Sequence, residues 1–113
     1  MAETIELGET IERLAKTIAV RKSAAPDTSY TASLLAGGVT KCAKKFGEEA
    51  TELVLAAAGE SPERVASEAG DVIYHLLVLL AARDVDVSAV AAALAAREGK
   101  SGHAEKASRE GKR

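Results

Sequence analysis

Residues 61–83, SPERVASEAGDVIYHLLVLLAAR, constrain the fold more than any other stretch of this chain. Ser61 suits an N-cap and Pro62 the first helical position, so a helix starts here. Val65, Ala66, Ala69, Val72, Ile73, Leu76, Leu77 and Leu80 cover a wide arc at helical spacing. Val78 and Leu79 continue the strip begun by Glu68, Asp71 and His75, so from Leu76 onward the helix is apolar all round. Such a helix is buried inside a bundle. Its acids are then partly withdrawn from water, and an unpaired buried carboxylate costs several kcal/mol or stays protonated.

The rest of the chain supplies partners for that helix. Leu7, Ile11, Leu14 and Ile18 repeat at helical spacing, which predicts a helix from Thr4 to Val20. RKSAAPDTS breaks it, and Tyr30–Ala36 forms a short helix ended by Gly37 and Gly38. Phe46, Ala50, Leu53, Val54 and Ala57 share one face of a helix over Val39–Ala58, stopped by Gly59. The long helix then runs to Arg83, DVDVS turns the chain, and Val87–Glu98 forms a last helix. No stretch alternates with a period of two. The expectation is an all-α, antiparallel helical bundle of four to five helices, with residues 1–98 as its body and 99–113 as a basic tail.

Side-chain size limits what one copy can bury. The apolar fraction is 47%, ample for a folded core, but much of it is alanine and aromatics are only 3%. Small side chains bury little area each, so a second copy is expected to complete the core, giving a homodimer. The tail from Lys100 to Arg113 holds five basic and two acidic residues, or +3, which leaves −5 on the body. Three aromatics give no stacking platform for nucleic acid, and none is expected as partner. The run Leu76–Ala82 is far short of the roughly 18 residues of a membrane span. A single cysteine, Cys42, and an acidic amphipathic N-terminus fit a reducing cytoplasm, and Cys42 reads as a small core residue.

The acids form two groups. Glu48, Glu49 and Glu52 lie on the helix before the buried one, pointing away from the Leu53 stripe, with Lys41 and Lys45 one to two turns earlier. Glu49 and Glu52 sit about 60° apart around that helix. Glu68 and Asp71 repeat the i,i+3 spacing on the buried helix, and His75 follows one turn on, reading as a hydrogen-bonded bundle histidine. Two such pairs on neighbouring antiparallel helices can converge on one hard cation such as Mg²⁺, which prefers oxygen ligands and substrate phosphates. The alternative is a solvated acidic face on a non-catalytic dimerisation module. Spacing alone leaves both open. One histidine does not make an iron or zinc site.

The pattern EExxE, fifteen residues, then ExxD resembles the signature of the MazG-type all-helical nucleoside triphosphate pyrophosphohydrolases. SYTASLLAGGVTKCAKKFGEEATELVLAA, SEAGDVIYHLLVLLAARDV and REGKSGHAEKASR together resemble the phosphoribosyl-ATP pyrophosphohydrolase family, from about Ile5 to Arg109. That resemblance implies a helical homodimer of histidine biosynthesis, using Mg²⁺ to hydrolyse phosphoribosyl-ATP to phosphoribosyl-AMP and pyrophosphate. It carries metal ligands onto Glu49, Glu52, Glu68 and Asp71, and Glu48 matches the first acid of the motif. Gly70 stands where the pattern leads one to expect alanine.

Hydrolysis of a phosphoanhydride needs a positioned water and neutralised phosphate charge. Glu48 and Glu52 are the candidates to activate the water. Lys41 and Lys45 suit polyphosphate as point charges, or else form an ordinary helix face in which Lys45 meets Glu49. Tyr30 would stack on adenine or simply pack. Lys100, Ser101, Lys106 and Arg109 would clasp the phosphoribosyl or triphosphate group. A housecleaning pyrophosphohydrolase acting on other nucleotides would use the same metal site.

Overall fold

The computed structural model describes residues 4–99. Within them are five α-helices and one 3-10 turn: α1 Leu7–Arg21, the turn Pro26–Thr28, α2 Tyr30–Ala36, α3 Gly38–Gly59, α4 Pro62–Ala82 and α5 Val87–Ala95. No strand occurs among the described residues.

Capping side chains set most of the starts. Ser29 Oγ accepts the Ala32 amide at 3.0 Å to open α2, and Ser61 Oγ accepts the Arg64 amide at 3.2 Å to open α4 behind Pro62. Asp86 accepts from the Ser88 amide to open α5. Between α2 and α3 the expected break shrinks to a single residue. Gly37 ends α2, and Gly38, at φ +88°, turns the chain straight into α3. A side chain at Gly38 would be strained, so glycine is what lets two helices abut there. At the other end α5 stops at Ala95 rather than Glu98.

Only Glu60 and Ser61 separate α3 from α4, so the two longest helices form a hairpin and make the most extensive packing in the molecule. α1 crosses α4, and α2 sits against both α3 and α4. The buried core is small: Ile18, Leu34, Cys42, Leu77 and Val78 form its centre, with Ile11, Leu14, Ile73 and Leu80 packed around it. Cys42 is 1% exposed and donates its thiol to the Leu34 carbonyl at 3.2 Å, as a core residue would. At the far end of α4, the Lys22 ammonium donates to the Ala81 carbonyl at 2.7 Å and pairs with Asp84, tying α1 to the α4 terminus.

Among the described residues, α4 alone is long and apolar enough to meet the requirement for a membrane-crossing helix. Buried Glu68 and His75 and the packing against α3 fit the core helix of a bundle instead. α5 is the anomaly. Its sequence, VSAVAAALA, is almost wholly apolar, yet none of its residues is buried.

Candidate active site

A hairpin that reverses between Glu60 and Ser61 sets residue 49 level with the α4 turn that carries Glu68, Asp71 and His75. One carboxylate oxygen from each of Glu49, Glu68 and Asp71 falls within 4.8 Å of the others. The three differ in solvation: Glu68 is 5% exposed, Glu49 is half-buried and Asp71 is exposed. Three hard oxygen donors from two rigid helices, with no sulfur or nitrogen among them, suit a divalent cation of the Mg²⁺ or Mn²⁺ type.

The other acids lie beside this group. Glu52 sits one turn further along α3, exposed and outside the three. Glu48 is also exposed and lies 3.4 Å from the Lys45 ammonium, which is itself 4.0 Å from Glu49. The Tyr30 phenol, and after it Glu48 and Glu49, pushes the Lys45 pKa up, so Lys45 stays a cation. Tyr30 keeps 55% of its surface exposed and meets His75 edge-on at 6.2 Å. Lys41 is exposed, its stem lying across Gly37, and it makes no ion pair among the described residues. Lys100, Ser101, Lys106 and Arg109 lie outside the described residues.

His75 departs from the expected hydrogen-bonded bundle histidine. It is 5% exposed, its Nδ1 has no hydrogen-bond partner, and its Nε2 stands 3.9 Å from Glu49 Oε1, too far for a hydrogen bond. Instead its ring packs edge-on against Tyr74 at 4.9 Å. Burial pushes its pKa down, against the smaller upward pull of Glu49, so the ring is neutral at pH 7. Tyr74 in turn hydrogen-bonds Thr31, which fixes that ring against α2.

A cation outside the residues singled out above also meets this cluster. Arg64 Nη2 lies 2.7 Å from Glu68 Oε1, and its Nε lies 3.3 Å from Glu60. The signal was present: Arg64 is four residues before Glu68, one helical turn away.

A family model described as phosphoribosyl-ATP pyrophosphohydrolase matches residues 11–98, a span that contains every acid of this site. The chain belongs to the phosphoribosyl-ATP pyrophosphohydrolase family. A relative from Cereibacter sphaeroides (strain ATCC 17029 / ATH 2.4.9) is 61% identical over 99 residues, covering 88% of this chain and 96% of its own length. One from Paracoccus denitrificans is 58% identical over 99 residues, covering 88% and 92%. A third, from Caulobacter sp. (strain K31), is 56% identical over 104 residues, covering 92% and 96%. Each carries the name phosphoribosyl-ATP pyrophosphatase.

Proposed function

We infer that this chain hydrolyses phosphoribosyl-ATP to phosphoribosyl-AMP and pyrophosphate, as a step of histidine biosynthesis in the cytoplasm. The observation that carries this is the meeting of Glu49, Glu68 and Asp71 in a chain so similar to proteins named for that activity. Their oxygen-only donor set fits Mg²⁺, with Glu52, one turn from Glu49, as a further ligand. When bound, that ion supplies charge neutralisation and Lewis acidity toward phosphate oxygens.

The remaining work falls to the chain's own groups. Lys45 and Lys41 stand on the α3 face that leads to the acids and bind the polyphosphate as point charges. Tyr30, half exposed beside Lys45, offers a ring to the adenine. Lys100, Ser101, Lys106 and Arg109 bind the phosphoribosyl end. Glu48 or Glu52, both exposed carboxylates, orients the attacking water and takes its proton as the anhydride oxygen leaves.

The working unit is a homodimer. α5 and the faces of α1 and α4 toward it enclose an apolar groove of about 710 Å³, lined by Ile11, Ala15, Leu80, Val87 and Leu94 among others and by none of the clustered acids. Among the described residues only seven apolar side chains are buried, a thin core, and a second copy seated in the groove enlarges it.

Turnover of phosphoribosyl-ATP with and without Mg²⁺, separating pyrophosphate from orthophosphate, tests this reading. Mg²⁺-dependent release of pyrophosphate is expected. Orthophosphate as first product, or strong turnover of dUTP or dCTP with none of phosphoribosyl-ATP, would overturn it.

A further inference from the structure

The buried carboxylate of Glu68 has a cation of its own. Its side chain is 6% exposed and shares a small space with two other carboxylates, Glu49 and Asp71. Such a cluster without a counter-charge is unstable, since burial and like-charge repulsion act together. Each of the two less exposed acids meets a cation one turn earlier on its own helix. Lys45 stands 4.0 Å from Glu49, and the Arg64 guanidinium reaches Glu68 at 2.7 Å. Arg64 is not left to swing. Its Nε lies 3.3 Å from Glu60, which precedes α4, so one guanidinium spans a carboxylate of the α3–α4 connection and one of α4. The Arg64–Glu68 pair has the base N-terminal to the acid, the less favoured i,i+4 order on a helix, so its closeness owes more to the charge of the acid cluster than to helix geometry.

Resting on the metal reading above, we propose that Arg64 is the resident counter-cation of the metal centre: it stabilises Glu68 in the metal-free protein and opposes the divalent ion there. A guanidinium at Glu68 Oε1 takes lone-pair capacity that the ion needs, and its positive charge repels the ion even if the carboxylate is shared. Arg64 thus sets the metal affinity without being a ligand. Glu60 acts on the same balance from the other side, by drawing the guanidinium away from Glu68.

Calorimetric titration of the full chain with Mn²⁺ alone tests this, with thermal midpoints taken with and without Mn²⁺. Arg64→Gln binds Mn²⁺ roughly three- to tenfold more tightly than the unaltered chain. Its midpoint without metal falls, and its rise on adding Mn²⁺ is larger. Glu60→Gln, which leaves Glu68 as the partner of Arg64, binds Mn²⁺ more weakly. Equal or weaker Mn²⁺ binding by Arg64→Gln overturns the proposal. If that variant does not fold, Arg64→Met decides, since it removes the charge but keeps an unbranched apolar stem: it binds more tightly than the unaltered chain, and unchanged or weaker binding overturns the proposal. Asp71→Asn separates the two readings. Mn²⁺ binding that Asp71→Asn removes but Arg64→Gln leaves unchanged defeats the Arg64 assignment alone. No Mn²⁺ binding by the unaltered chain defeats both.

Discussion

Glu49 of α3 and His75 of α4 face each other across the seam of the long hairpin, Oε1 to Nε2 at 3.9 Å, without a hydrogen bond between them. The ring is held by Tyr30 and Tyr74 instead, and burial lowers its pKa despite the neighbouring carboxylate. The folded protein therefore binds fewer protons at this ring than the unfolded chain does below about pH 6.5. Stability from keeping the ring neutral is complete above that pH and is lost as pH falls through it. Urea midpoints at pH 7.5 and 5.5 check this. The unaltered chain loses more stability on acidification than His75→Gln does, and an equal loss in both would contradict the assignment.

Gly70 is exposed inside α4, and a Cβ there would meet no atom within 4 Å. Its cost is therefore backbone entropy alone. Gly70→Ala should stabilise the fold by about 1 kcal/mol, raising the melting temperature by roughly 4–8 °C. Circular dichroism on heating measures it. A lower melting temperature would mean that something packs against this face.

Cys42 is sealed from solvent, and burial raises its thiol pKa against the opposing pull of Lys41. It should resist alkylation in the native state and react quickly in urea. The native labelling rate with iodoacetamide should track global unfolding, and fast labelling of folded protein would contradict its place in the core.

Leu94 is 59% exposed at the lip of the apolar groove. A charge there is harmless to a monomer but severe in a buried interface. Leu94→Asp should convert a particle of twice the chain mass to one of a single chain mass in sedimentation velocity, with helicity retained. An unaltered chain that sediments as a monomer would remove the homodimer from the account.

Much of this was legible because the governing signals are local. Ser61 with Pro62 marks the start of α4, and the aromatic-poor apolar pattern leaves no strand signal. The i,i+3 acid pairs on adjoining helices announced Glu49, Glu68 and Asp71, since a short hairpin connection forces them level. What stayed hidden depends on side-chain reach and on burial. Arg64 was not singled out because the burial of Glu68, which attracts it, is a tertiary fact. The orphan Nδ1 of His75 could not be foreseen, because packing against two tyrosines rather than hydrogen-bond partners fixes that ring. The closeness of α2 and α3 turned on one positive φ at Gly38, where a pair of glycines had suggested a looser break.

The claim on which the activity rests is that Glu49, Glu68 and Asp71 grip a single divalent ion, and anomalous diffraction from Mn²⁺-soaked crystals addresses it most directly. One peak is predicted between α3 and α4, at about 2.1–2.2 Å from a carboxylate oxygen of each of the three. Asp71→Asn crystals should lack that peak. Mn²⁺ bound elsewhere, with the three side chains turned toward separate regions of solvent, would contradict the account.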